Sequence, residues 1–362
     1  MAPSLKDPAP PAFMGIPMKW VSLLMLVIQT VGVVFAMRLS RTTATTGVRY
    51  LNTTAVFFSE VMKMACSFLF LSHEKGSLWA AAVYASEQMA KSPAELAKVT
   101  VPGLLYTLQN NLLFISLSNL SGAVYQVTYQ LKILTTAVLS VVILGKSLGS
   151  TKWSALLMLT VGVALIQMPR GPPEEAAEAD VSTTSSPHPE GNAVVGLVAV
   201  LSACVTSGLA GVYLEKILKQ TDASIWLRNI QLAICGSALG FLGALWQDGA
   251  KIREGGFLQG YNRLVWGVIL LQAVGGLVVA AVLKYADNLL KCFGNALSIC
   301  ISCMLSAVLL REFVPDKFFV FGTLLVMLAT YVYSIGVPEF ARLRWNRLFG
   351  DTLKTKVDAL DA

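Results

Sequence analysis

A lysine and two tyrosines share one face of an apolar segment in the first half of the chain. Tyr125, Tyr129 and Lys132 are spaced i, i+4 and i+7, so an α-helix would place them in one column. An ammonium group near the middle of a membrane helix costs about 2.5–3.5 kcal/mol on insertion scales, so it needs water, an anion or a polar interior. A lysine binds phosphate as a point charge, and neighbouring aromatic rings can stack on a base. The pattern predicts a site for a nucleotide-like anion; pairing of Lys132 with Glu60 or with backbone carbonyls is the alternative.

A second polar face lies on the preceding apolar segment, where Tyr106, Gln109 and Asn110 fall at i, i+3 and i+4. A short polar loop, Ser118 to Gly122, joins this segment to the one that carries Lys132. Each segment is long enough to cross a bilayer. We therefore expect the two segments to form one wall of a polar site inside a membrane protein.

The composition is that of a membrane protein. Of the 362 residues, 55% are hydrophobic and only 14% are charged, which excludes an ordinary soluble globule. The net charge of +7 forms no basic patch with interleaved aromatic residues, so we expect the lipid bilayer, and not nucleic acid, as a partner. The six cysteines have neither metal-ligand nor disulfide spacing, which predicts buried thiols.

Ten apolar segments predict an all-α polytopic membrane protein with ten transmembrane helices. The predicted spans are Trp20–Met37, Thr54–Leu71, Thr100–Leu117, Gly122–Leu144, Trp153–Gln167, Val194–Tyr213, Trp226–Trp246, Leu264–Leu283, Leu289–Leu310 and Phe318–Ile335.

An acidic segment rich in Pro, Ser and Thr separates the fifth predicted span from the sixth. We predict a flexible lumenal linker at residues 169–192 between five-helix halves at 19–168 and 193–336, with tails at 1–18 and 337–362. An odd number of spans per half makes a repeat inverted, an arrangement found in transporters whose site lies where the halves meet. Lys and Arg are concentrated at the termini and in the even-numbered loops, which predicts that both termini are cytosolic.

Other residues within the spans have structural interpretations. Glu60 and Lys63 are one turn apart and predict an ion pair, which either fixes helix packing or takes part in gating. Four glycines predict close helix packing rather than ligand contacts: Gly208, Gly211, Gly275 and Gly276.

Six segments together resemble the Golgi nucleotide-sugar transporters, in the branch that carries UDP-N-acetylglucosamine, UDP-galactose and CMP-sialic acid. They are YTLQNN (106–111), AVYQVTYQLKILTTA (123–137), SGLAGVYLEKILK (207–219), WLRNIQL (226–232), GFLQGYNRLVW (256–266) and GGLVVAAVLKYADNLLK (275–291). The resemblance implies ten helices of the drug/metabolite transporter fold in the Golgi membrane, with the endoplasmic reticulum as the other option. It implies exchange of a cytosolic nucleotide sugar for a lumenal nucleoside monophosphate, without a cofactor; a homodimer remains an option.

The resemblance also implies site residues. Its phosphate contacts correspond to Lys132 and Lys291, and its nucleoside contacts correspond to Tyr106, Asn110, Tyr125 and Asn229. Gln126 and Tyr129, from the same segment as Lys132, complete the expected substrate-binding set. The chain departs from the family at KCFGNALS (291–298), where relatives usually read KGFATSLS, so the surroundings of Lys291 differ although its charge does not.

The resemblance favours a UDP-sugar over CMP-sialic acid. Where CMP-sialic acid carriers have a tyrosine and small hydroxyl residues, this chain has Ala233, Cys235 and Ala280. We expect an antiporter of UDP-N-acetylglucosamine or UDP-galactose against UMP, with a CMP-sialic acid/CMP exchanger as the alternative. A membrane-embedded glycosyl- or phosphotransferase is a remote alternative, because His73 and His188 lie in predicted loops and no D-x-D motif is present. A channel function is disfavoured, because a site that binds an organic anion tightly opposes rapid conduction.

The residues at 233, 235 and 280 generate a prediction about base preference. UMP should compete for transport of the preferred nucleotide sugar much better than CMP, because the small apolar residues match the UDP-sugar carriers. A competition assay with both nucleotides in reconstituted vesicles measures the preference. Stronger inhibition by CMP would reverse the ranking in favour of CMP-sialic acid.

Overall fold

The computed structural model describes residues 12–42, 50–91, 93–168, 192–220, 224–310 and 316–335. These residues are helical apart from short turns and an antiparallel pair of two-residue strands, β1 (Ala12–Phe13) and β2 (Ile16–Pro17). The helices are α1 (Met18–Thr42), α2 (Asn52–Lys75), α3 (Leu78–Lys91), α4 (Pro93–Asn119), α5 (Gly122–Tyr129), α6 (Lys132–Leu144), α7 (Ser150–Ile166), α8 (Ala193–Gln220), α9 (Ile225–Gly255), α10 (Arg263–Tyr285), α11 (Asn288–Leu305) and α12 (Lys317–Ile335), with a π-helical turn at Ser306–Leu310. The predicted all-α class is confirmed for this part of the chain.

Eight helical segments of the described residues are long and apolar enough to cross a membrane, judged by length and composition. They are α1, α2, the segment Val124–Leu144 that contains α6, α8, α9, α10, the segment Asn288–Val308 and α12. The remaining two predicted spans correspond to α4, which begins at Pro93 rather than at Thr100, and to the shorter apolar helix α7. The count of ten and the inverted halves therefore stay predictions.

Some predicted boundaries differ from the structure or lie beyond it. Helix α3 occupies part of the stretch that the sequence left between the second and third spans. Its Ala81 and Ala85 are buried in a cluster that also contains Leu71 of α2 and Leu227 of α9, and α3 packs mainly against α2. The predicted linker, except Asn192, and the C-terminal tail lie outside the described residues.

Helices that precede the predicted linker pack mainly against helices that follow it. The packed pairs include α1 with α10 and α11, α2 with α9 and α10, α4 with α8 and α9, α6 with α8, and α7 with α12. One apolar core joins α6, α7, α11 and α12 around the fully buried Leu156, Leu159 and Leu289. The two parts of the chain are thus interleaved, so a side chain on one part easily reaches the other.

Small residues set the closest helix contacts. A Cβ atom on Gly162 of α7 would lie 3.0 Å from the carbonyl oxygen of Gly322 on α12, and one on Gly322 would lie 2.8 Å from that of Gly162. Gly208 of α8 lies against the backbone of α6, where a Cβ would be 3.1 Å from the Thr136 nitrogen, as its predicted packing role requires. The other predicted packing glycines make room for polar side chains: Gly211 for Asn288, Gly275 for Gln29 and Gly276 for Lys63.

The contact between α7 and α12 gives a prediction about stability. Gly162→Ala should destabilise the protein by about 1–3 kcal/mol, because overpacking forces the two backbones apart. Thermal unfolding of purified protein measures the loss as a lower Tm. Gly267→Ala in α10 is the matched control, since a Cβ there has no atom within 4 Å. Equal Tm values for the two variants would contradict the close contact.

Candidate functional site

The apolar segment that carries the predicted lysine is interrupted rather than continuous. Between α5 and α6, the N–H groups of Gln130, Leu131 and Ile133 donate to carbonyl oxygens three residues earlier, at 3.2, 3.0 and 3.0 Å. Such a 3₁₀ turn inside a helix often marks a functional hinge. The interruption makes Lys132 the first residue of α6. The sequence predicts one span from Gly122 to Leu144 and gives no signal for this turn, because neither Gly nor Pro marks it.

Side chains satisfy the carbonyl groups that the turn releases from the regular helix pattern. The thiol of Cys204 on α8 lies 3.6 Å from the Tyr129 oxygen and donates to it. The side-chain amide of Gln130 donates to the Gln126 oxygen at 3.3 Å and to the Oε1 of Gln167 at the end of α7. Unpaired backbone groups are costly in an apolar interior, so these bonds stabilise the interruption. Its geometry therefore depends on residues of three helices.

The tyrosine–lysine cluster, which comprises Tyr125, Tyr129 and Lys132, forms on one face as the spacing predicts. The two rings are stacked, with centroids 5.8 Å apart and planes at 9°. The Nζ atom of Lys132 lies 4.0 Å from the centroid of the Tyr129 ring, which is within cation–π range. Gln109 of α4, only 7% exposed, donates to the Tyr129 hydroxyl at 2.8 Å. The Tyr129 ring is thus held both at its hydroxyl and at its face.

The second predicted lysine, Lys291, acts electrostatically on a thiol that Lys132 also influences. Lys291 stands in the first turn of α11, and the thiol of the next residue, Cys292, is within electrostatic range of both Lys132 and Lys291. Two cationic side chains, one from each side of the predicted linker, therefore both act on the Cys292 thiol. Their mutual repulsion would be relieved by an anion placed between them.

The other predicted residues differ in their placement. Tyr106 interacts electrostatically with Tyr129, so α4 borders the tyrosine–lysine cluster, and Asn110 is exposed one turn further along α4. Gln126 contributes its carbonyl group to the interruption, as described above. Asn229 is 1% exposed and its side-chain amide donates to the Ile225 oxygen within α9 at 3.0 Å. A ligand would have to compete with that intrahelical bond to reach the Asn229 amide.

The predicted ion pair within α2 is confirmed. Lys63 Nζ lies 2.6 Å from Glu60 Oε2, so Glu60 is paired with Lys63. Gly236 of α9 and Gly276 of α10 face this pair, and a Cβ on either glycine would collide with it. The charge of Glu60 is therefore neutralised by a lysine on its own helix.

Ion pairs also tie helices together where α4 and α9 begin. Arg228, 4% exposed, donates to Glu95 Oε2 at 2.7 Å, while Lys98 donates to Glu95 Oε1 at 2.8 Å. The hydrogen bonds from Lys98 and Arg228 lower the pKa of Glu95 below its usual value. Sequence reasoning missed this contact because its partners are far apart in the chain. Within the described ranges, no three His, Cys, Asp or Glu side chains come together as metal ligands.

Comparison with known proteins adds independent evidence. Residues 14–334 match the family model described as nucleotide-sugar transporter. The UDP-N-acetylglucosamine transporter of Mus musculus is 49% identical over 318 residues, which cover 88% of this chain and 95% of that protein. The UDP-galactose translocator of Bos taurus is 43% identical over 320 residues, which cover 88% of this chain and 78% of that protein. These relatives are named as transporters and not as enzymes.

A further relative and a solved structure match over nearly the same share of this chain. The UDP-N-acetylglucosamine/UDP-N-acetylgalactosamine transporter of Caenorhabditis elegans is 44% identical, covering 88% of this chain and 93% of that protein. One crystal structure superposes with a TM-score of 0.57 over 87% of this chain and 97% of its own, at 14% identity, which shows the fold alone. Because the family model covers most of the chain and the relatives match over nearly the same extent, this multi-pass membrane protein belongs to the nucleotide-sugar transporter family.

Proposed function

We propose that the protein is an antiporter that imports a UDP-sugar, UDP-N-acetylglucosamine or UDP-galactose, from the cytosol into the Golgi or endoplasmic reticulum lumen in exchange for UMP. The relatives named as UDP-sugar transporters support the substrate class. The observation that carries the proposal is the interrupted span, which presents Lys132 beside two stacked tyrosines. Exchange of CMP-sialic acid for CMP remains the alternative. The competition assay with UMP and CMP distinguishes the two.

The chemistry of the cluster suits both exchanged molecules, since each carries a uridine phosphate. The two ammonium groups would neutralise the phosphate, and a tyrosine ring would stack on the uracil base. Tyr106 and Asn110, on the bordering face of α4, would contact the nucleoside. The sugar of the larger substrate would extend from the same phosphate, so the two molecules would share most of their contacts. Shared contacts make the nucleotide a competitor for, and an exchange partner of, the nucleotide sugar.

Alternating access in this proposal is a movement of two inverted halves about the bound phosphate. The packing supports such a relation when α1, α2, α4, α6 and α7 are matched in order with α8, α9, α10, α11 and α12, because this exchange reproduces the most extensive contacts. The pair α1 and α10 corresponds to α8 and α4, the pair α2 and α10 to α9 and α4, and the pair α1 and α11 to α8 and α6. The 3₁₀ turn between α5 and α6 provides a hinge next to the ligand. Both termini are cytosolic in this arrangement.

Exchange in reconstituted vesicles tests the proposal. Vesicles preloaded with UMP should take up labelled UDP-sugar intact and faster than empty vesicles, because the phosphate neutralises two lysines whose charges otherwise resist closure. Preloading with uridine, which lacks the phosphate, should accelerate uptake little. Uridine that stimulated uptake as strongly as UMP would contradict phosphate bridging, and uptake insensitive to any nucleotide would contradict antiport.

Two lysine variants provide the matched comparison for that assay. Lys132→Met removes the charge from the tyrosine–lysine cluster and should abolish stimulation by UMP. Lys91→Met changes a lysine on α3 whose side chain is 66% exposed, and it should leave stimulation unchanged. Equal stimulation in both variants would remove Lys132 from the proposed site.

A further inference from the structure

One carboxylate is completely buried where α8 ends and α11 begins. The side chain of Glu215 is 0% exposed. Its Oε1 accepts hydrogen bonds from the Nζ atoms of Lys146 and Lys219, both at 2.8 Å, and its Oε2 accepts one from the backbone N–H of Asn288 at 3.0 Å. A buried carboxylate is tolerated only with such compensation. Both of its oxygens are thus engaged, and one of them binds the start of α11.

The same two lysines also bind the residues just before α11. Lys146 lies 3.4 Å from Asp287 Oδ2, and Lys219 Nζ donates to the Ala286 oxygen at 2.6 Å. Asp287 in turn caps the helix, because its Oδ1 accepts the Leu290 N–H at 2.7 Å. The entry into α11 is therefore bonded at the Ala286 carbonyl, at the Asp287 side chain and at the Asn288 N–H.

Steric contact fixes the same segment. The side chain of Asn288 fills the space beside Gly211 of α8, where a Cβ would lie 3.0 Å from the Asn288 Cγ. Lys291 follows within one turn, and its N–H donates to the Asp287 oxygen at 3.0 Å. Since an α-helix is rigid over one turn, the position of Asp287 and Asn288 determines where Lys291 lies.

We propose that Glu215 is a positioning residue for Lys291. The inference rests on the proposed function, in which Lys291 binds the phosphate. Glu215 touches no ligand; it holds the first turn of α11 against α8 and, through Lys146, against the loop that follows α6. The negative charge of Glu215 would therefore be needed for affinity toward a phosphate but not toward the nucleoside alone. A residue that only stabilised the fold would affect both ligands equally.

The charge-removing change Glu215→Gln tests this role in the full-length protein in lipid nanodiscs. Competition binding against labelled UMP gives affinities for UMP and uridine. The variant should bind UMP about tenfold more weakly, equivalent to about 1.4 kcal/mol, while uridine affinity changes by less than about twofold. A fall of both affinities by the same factor would overturn the proposal, and so would unchanged UMP binding.

Two further sets of variants make the result specific. Glu95→Gln is the control, because it breaks an ion pair with Arg228 at the same end of the bundle. That pair joins α4 to α9 and not α8 to α11, so the ratio of UMP to uridine affinity should not change. Lys146→Met should lower the ratio, whereas Lys146→Arg keeps the charge and should preserve it. If Glu215→Gln fails to fold, the comparison of Lys146→Met with Lys146→Arg decides the question, and equal ratios there would overturn the proposal.

Lys291→Met separates this inference from the proposed function. If Lys291→Met leaves the ratio of UMP to uridine affinity unchanged, Lys291 does not bind the phosphate and both proposals about it are wrong. If Lys291→Met lowers the ratio while Glu215→Gln and Lys146→Met do not, the phosphate role stands and only the positioning role is wrong.

Discussion

The free energy needed to keep an ammonium group inside an apolar bundle is the constraint on which this structure depends. Lys132 meets it in part through the face of the Tyr129 ring, whose hydroxyl is bonded in turn by Gln109. Lys291 is a second positive charge, and it acts on the Cys292 thiol together with Lys132. A site of this kind is complementary to a phosphate, and in the proposed cycle the phosphate is the group common to both exchanged molecules.

The interruption between α5 and α6 imposes the second constraint, because its carbonyl groups need donors in a medium without water. Those donors come from Gln130 within the turn and from Cys204 on α8, and Gln167 at the end of α7 bonds the Gln130 amide. The position of Lys132 is therefore coupled to helices from both parts of the chain. In the same way Glu215 couples the start of α11 to α8 and to the loop after α6. Each lysine is thus held by contacts that cross between the two parts, which is what a site shared by moving halves requires.

Sequence alone is sufficient for most features whose signal is local in the chain. Hydropathy located the long apolar helices but not α3. Helical spacing placed Tyr125, Tyr129 and Lys132 together and paired Glu60 with Lys63, because side chains three, four or seven residues apart share a face. The 3₁₀ turn at Gln130 was missed, since its stability comes from residues on other helices. The contacts of Glu215 were missed for the same reason, and the intrahelical bond of Asn229 was not foreseen. The assignment of the site residues to a ligand still rests on the resemblance.

The central claim is that one nucleotide phosphate is held by both lysines at once. A cryo-electron microscopy structure of the protein with UMP in nanodiscs tests it most directly. The account predicts phosphate density between α6 and α11, with oxygens about 2.7–2.9 Å from the Nζ atoms of both Lys132 and Lys291. Phosphate density in contact with only one of these lysines, or with neither, would contradict it.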